Sequence, residues 1–166
     1  MPPLPNAVTA SELQTLSSRA ISAKEAAYCT PLLPAPPIPA CGGDRLLLRL
    51  KLSPYSKFRV GACIITNAGE YIVGANVENV AYPVGTCAER VAFATAIVAG
   101  HKDFKAIAVA TDIKPGASPC GMCRQYMREF TTPSFPVYMY DGEGNYTVKT
   151  MGELLPDSFG PADLPK

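Results

Sequence analysis

Cys87-Ala88-Glu89-Arg90 and, further along, Ser118-Pro119-Cys120-Gly121-Met122-Cys123-Arg124-Gln125 are the stretches of this sequence equipped to act on a bound molecule. Three thiolates match a zinc ion that keeps one coordination position open. A structural site usually recruits a fourth protein ligand, whereas a catalytic site leaves that position to water. Zinc lowers the pKa of such a water toward ~7, which makes it a nucleophile at neutral pH, but another group must move the protons. Glu89, two residues past Cys87, can reach that water without ligating the metal, take its proton and pass it on. The plainer reading of Glu89 is a carboxylate that complements a helix dipole. A bare C-x-x-C also fits a redox pair or half of a structural zinc knuckle; Pro119 before it and the C-x-E upstream favour the catalytic reading.

Both cysteine clusters fall where helices are expected to begin, and unpaired N–H groups with the positive end of the dipole favour anions there. That placement lowers thiol pKa and helps hold three thiolates together. Three thiolates on a divalent ion leave the site at net −1, so a neighbouring cation is useful. Arg90 is the candidate for this charge balance, the alternative being a surface helix arginine.

The 166 residues fit one domain with a real core. With 15 Lys+Arg against 14 Asp+Glu, the net charge is +1, and no basic stripe of the kind a nucleic-acid binder carries is visible. A small substrate is expected, with neither nucleic acid nor membrane as partner. There is no signal-like start and no apolar run long enough to span a bilayer, which leaves the cytoplasm as the expected location. Six cysteines without a secretory context favour a metal or catalytic use over disulfides. Cys63 alternates with aliphatic residues in Val60-Gly61-Ala62-Cys63-Ile64-Ile65 and reads as a small core residue.

The elements that must position these groups follow from pattern. Ser11 with Gln14 three residues on offers a helix start, and Leu13, Leu16, Ala20, Ile21 and Ala27 give an apolar stripe, so a first helix is expected from about Ser11 to about Tyr28. Pro31, Pro34, Pro36, Pro37 and Pro39 preclude helix or central strand from Thr30 to Pro39. Val60 to Thr66 and Tyr71 to Ala75 read as a hairpin across Asn67-Ala68-Gly69-Glu70. A helix from Cys87 to Gly100 leads to Phe104–Thr111, a nearly continuous apolar run expected of a strand covered on both faces. After Pro119 a second cysteine-bearing helix runs to about Phe130, then strands Pro136–Tyr140 and Tyr146–Thr150, then a short helix near Met151–Leu155. This order implies an α/β fold, a mixed sheet with helices packed on its faces.

Taken together, the motifs resemble the homotetrameric, zinc-dependent cytidine deaminases that act on free nucleosides. The matching stretches are Ser53 to Ala62, Gly74-Ala75-Asn76-Val77-Glu78-Asn79 with Ala81-Tyr82-Pro83, the two cysteine motifs, and Glu153-Leu154-Leu155-Pro156 with Ser158-Phe159-Gly160-Pro161. Three cysteines with a non-ligating glutamate are the known pattern of zinc nucleobase deaminases. The resemblance implies a three-layer α/β/α sandwich with a mixed sheet of about five strands. It further implies one zinc on Cys87, Cys120 and Cys123, with Glu89 as proton shuttle, in hydrolysis of cytidine and 2′-deoxycytidine to the uridines with release of ammonia, a step of pyrimidine salvage. By the same resemblance Asn76 and Glu78 hold the ribose 3′-hydroxyl and Phe58 packs against the pyrimidine. Ala88 and Ser118 lie near the base carbonyl and the leaving ammonia. Tyr82 sits at a subunit interface near the sugar, and Phe159 enters a neighbouring subunit's site. Without the resemblance, Asn76 reads as loop polarity and the two phenylalanines as core.

One deaminase domain over 1–166 is thus expected, with an atypical Pro/Leu-rich insert at 30–52. The Cys41-Gly42-Gly43-Asp44 and Leu46–Leu52 stretches match nothing in the family pattern. A genuine surface loop and translated non-coding sequence both fit, and exposed leucines favour the second. Competing readings share the chemistry. Blasticidin-type deaminases also use three cysteines, but Glu78-Asn79 after Asn76 favours a ribose; deoxycytidylate deaminases and polynucleotide editors carry His-x-Glu where this chain has Cys-x-Glu. From another class, a zinc-stabilised interaction module would have no use for Glu89.

Overall fold

Thr9 starts the first helix, α1 (Ala10–Lys24): its hydroxyl accepts from Glu12 N–H at 3.2 Å while Glu12 Oε2 accepts from Thr9 N–H at 2.8 Å. The expected cap at Ser11 loses to this pair because a carboxylate three residues on satisfies the cap residue's own N–H reciprocally. Lys105 also reaches Glu12, at 2.8 Å. The computed structural model describes residues 8–27 and 55–165. Cys29, Cys41 and the 30–52 insert lie outside them, as does the expected helix end at Tyr28. α1 stops earlier, at Lys24, and residues 25–27 turn tightly, Ala26 and Ala27 bonding back to Ala23 and Lys24. Leu16, Ala20 and Ala27 are buried as expected, but Ile21 is 36% exposed: one residue on from Ala20, it is carried off the stripe.

The strands lie where the sequence placed them: β1 (Val60–Thr66), β2 (Tyr71–Ala75), β3 (Phe104–Thr111), β4 (Pro136–Tyr140) and β5 (Tyr146–Thr150). They form one sheet in the order β2-β1-β3-β4-β5, with only β3 and β4 parallel. A parallel pair needs a long crossover, and here it contains α3 (Gly121–Phe130); α2 (Ala88–Val98) connects the hairpin to β3, and α4 (Met151–Leu154) follows β5.

Alternation splits the core in two. Cys63, Ile65, Ala106, Ala108 and Ala110 face α1, where they meet Leu16 and Ala20. Ala62, Ile64, Ile107, Val109, Val137 and Met139 face the other way, onto Phe93 of α2 and Met127 of α3. The expected three-layer sandwich follows, with β3 buried on both faces. Cys63 is fully buried and its thiol is pushed up to about 12 by desolvation, so it is core and not a ligand. Gly74 sets the position of α2: a Cβ there would collide with Ala92 N and Ala88 O, so only glycine lets the helix start sit this close to β2.

Candidate metal centre and adjoining cavity

Cys87 and Cys120 are the residues immediately before α2 and α3, each in extended backbone, and Cys123 lies one turn into α3. The Cys87 and Cys120 carbonyls begin the helices, accepting from Val91 N–H (3.1 Å) and Arg124 N–H (2.9 Å). Their side chains make no capping bond, which leaves the sulfurs to converge. The three Sγ atoms all lie within 4.8 Å of one another, and Cys87 and Cys120 are 3.9 Å apart. Tetrahedral zinc with bonds of about 2.3 Å separates its sulfurs by roughly 3.8 Å, so the donor set fits the ion. Two helix starts aim their positive ends at this cluster.

The Cys87 thiol is held below its ordinary range, first by the hydrogen bond it accepts from Cys123 and then by Arg90, while that bond and burial push Cys123 up. Arg90 Nη2 lies 4.0 Å from Cys87 Sγ and donates to Gly85 O at 3.2 Å. Its Nε is buried without a hydrogen-bond partner among the described residues. Glu89 is 3% exposed, and burial, reinforced by the Cys87 charge, pushes its carboxyl up to about 7. It is therefore poised to hold or release a proton near neutrality.

Cys87, Cys120 and Glu89 are among the residues that line a cavity of about 320 Å³, a size suited to a small ligand. Phe58, Val60 and Val109 give it apolar walls, and Asn76, Glu78, Tyr82, Thr111 and Ser118 add polar groups. The loop carrying Glu78 and Tyr82 is closed by Val77 and Thr86, which exchange backbone bonds at 2.8 Å. Asn76 Oδ1 accepts from Val60 N–H (2.8 Å) and its Nδ2 donates to Phe58 O (3.1 Å). Glu78 accepts from Tyr55 N–H (3.1 Å), Ser56 N–H (3.4 Å) and the Ser56 hydroxyl. These two residues thus shape the Phe58 loop as well as lining the cavity.

Tyr82 is exposed, its ring edge-on to Tyr55 with centroids 5.7 Å apart. Ala88, the first residue of α2, is fully buried and is not part of the lining. Phe159 is not brought to this cavity: it is 64% exposed, with its carbonyl accepting from Gln125. Arg124 was missed by motif reading. It donates to Pro119 O, Leu154 O and Ser118 Oγ, each at 2.8 Å, and so fixes the approach to Cys120; its place one residue past Cys123 was the available signal.

Fold and site together define a zinc-dependent α/β enzyme. The family model for the cytidine and deoxycytidylate deaminase zinc-binding region matches residues 45–139. Cytidine deaminase of Sporosarcina psychrophila is 45% identical over 111 residues, 67% of this chain and 82% of that protein. The enzyme of Halalkalibacterium halodurans is 42% identical, over 67% of this chain and 84% of its own length. Among solved structures, cytidine deaminase from Burkholderia pseudomallei superposes with a TM-score of 0.72 at 35% identity, covering 92% of this chain and 100% of that one. The chain belongs to the cytidine and deoxycytidylate deaminase family.

Proposed function

We propose that this chain hydrolyses cytidine and 2′-deoxycytidine to uridine and 2′-deoxyuridine with release of ammonia, as a pyrimidine-salvage enzyme. The observation that carries the proposal is the buried carboxylate of Glu89, outside the cluster of three convergent sulfurs and lining, with Cys87 and Cys120, a cavity of about 320 Å³. Cys87, Cys120 and Cys123 hold one zinc, which supplies the Lewis acidity that makes water nucleophilic near neutral pH.

Glu89 takes a proton from the attacking water and delivers it to N3 of the base as C4 gains oxygen. It then carries the second proton to the amino group, and the C4–N bond breaks to release ammonia. Arg90 offsets the net negative charge of three thiolates. Phe58 packs against the pyrimidine. The backbone at Ala88 and Ser118 serves the base carbonyl and the departing ammonia.

Asn76 and Glu78 take the ribose 3′-hydroxyl in addition to their bonds within the chain, since a carboxylate offers about four lone-pair sites and an amide two donors and two acceptor sites. Tyr82 lies near the sugar at a subunit contact, and Phe159 completes a neighbour's site in a homotetramer. The exposure of both rings supports that reading. The deaminase domain is single and spans 1–166, with the 30–52 insert falling within its sequence. Free thiolate ligands suit the reducing cytoplasm, and among the described residues no helix is long and apolar enough to cross a membrane.

The test is a substrate panel on purified protein. Cytidine and 2′-deoxycytidine lose their ultraviolet absorbance, free cytosine is a poor substrate, and cytidine monophosphate and single-stranded DNA are not preferred. Efficient deamination of either of the last two over cytidine would refute the assignment.

A further inference from the structure

Asp112, at the exit of β3, binds two cations. Its Oδ1 lies 2.6 Å from Lys24 Nζ and its Oδ2 accepts from Arg59 Nε at 2.8 Å. Lys24 precedes and Arg59 follows residues 28–54, so one carboxylate ties together the two segments that those residues join. β1 and α1 are also pressed together beside it: a Cβ on Gly61 would collide with Ala20 O and Lys24 N. An exposed ion pair is usually worth little, largely because two mobile side chains must be fixed. Here the Lys24 side chain is only 9% exposed and also reaches Thr111 O at 3.5 Å, so the carboxylate is already held when Arg59 meets it.

Arg59 is the neighbour of Phe58. On the cavity side Phe58 is fastened by its N–H to Ser56 Oγ (3.0 Å) and by its carbonyl to Asn76 (3.1 Å). Just before it, Lys57 sits in the left-handed region at φ 56°, a conformation a non-glycine residue keeps only when its surroundings over-determine it. Just after it, the Arg59–Asp112 bond supplies the anchor on the far side. Asp112 in turn follows Thr111, a cavity-wall residue whose Oγ1 accepts from Ala117 N–H at 3.2 Å, on the loop that leads to Ser118 and Cys120.

We propose that Arg59 and Asp112 are positioning residues, a clip that sets how far the Phe58 ring enters the cavity and thereby tunes affinity for the pyrimidine without entering the chemical step. The inference rests on the nucleoside reading of the cavity. Arg59→Gln is the variant of choice because it leaves the buried Lys24 its carboxylate.

The KM for cytidine and the calorimetric Kd of the product uridine rise together by roughly 3- to 10-fold, the worth of one aromatic contact, while kcat and zinc per chain stay at wild-type values. Arg59→Lys, which keeps a cation in reach of Asp112, recovers most of the lost affinity. Wild-type KM and Kd in Arg59→Gln, a loss confined to kcat, or an Arg59→Lys protein no better than Arg59→Gln would each overturn the clip. A wild-type protein that carries zinc but neither deaminates cytidine nor binds uridine would overturn the nucleoside reading, and the clip with it; that result needs no variant, so the two failures are distinguishable.

Discussion

The sulfurs of Cys87 and Cys120 lie 3.9 Å apart across 33 positions of sequence. Each belongs to the residue that opens a helix. The sheet therefore sets the metal site: wherever α2 and α3 are docked, their starts bring the ligands along.

Gly74 tests that dependence. In Gly74→Ala the added Cβ meets the backbone of Ala88 and Ala92, and the first turn of α2 has to lift. Thermal and denaturant unfolding should show a loss of about 1–3 kcal/mol, as for overpacked cores. Zinc affinity, measured by chelator competition, should weaken although no ligand has changed.

Glu89→Gln should keep the fold and the zinc yet lower kcat by roughly 10²–10⁴-fold, the usual contribution of a positioned acid–base group. The amide matches the carboxylate in size and cannot shuttle the proton. Near-normal turnover would place the shuttle elsewhere.

Glu12 gives a pH dependence remote from the metal. Its carboxyl is lowered to about 2, first by the Lys105 hydrogen bond and then by Thr9 N–H, so the ionised form stabilises the fold. That contribution is complete above the unfolded value of about 4.3 and is lost as pH falls toward about 2. Subtracting the stability of Glu12→Gln from that of the wild type should give a difference that is constant near neutrality and shrinks across this acid window. A difference that grew with acid would contradict the sign.

Truncation after Pro156 removes Phe159 without touching Cys87, Glu89, Cys120 or Cys123. Zinc content should hold while KM rises, with size-exclusion chromatography run on both forms. A truncated protein that is monomeric and kinetically normal would show a self-contained site and end the tetramer reading.

Strand positions were legible because each apolar run is bounded by turn chemistry, such as Asn67–Glu70 between β1 and β2. The metal site was legible because each half, Cys87-Ala88-Glu89 and Pro119-Cys120-Gly121-Met122-Cys123, is a local pattern whose residue types carry the chemistry, although the halves lie 33 positions apart. Helix α1 was less so. Thr9 and Ser11 can both cap, and only the reciprocal bond with Glu12 decides between them. The double duty of Asn76 and Glu78 was hidden, since their partners at Tyr55, Ser56, Phe58 and Val60 lie 16 to 23 positions away. The Lys24–Asp112–Arg59 cluster was hidden for the same reason: sheet pairing brings these residues together, and none belongs to a motif.

The most direct test loads the purified metal-free chain with increasing zinc and follows ammonia and uridine formed from cytidine. Both products should appear in equal amounts, at a rate that climbs with bound zinc and levels off at one ion per chain, and Cys87→Ala should neither retain the full zinc nor reach that rate. A zinc-replete protein that leaves cytidine unchanged would contradict the account.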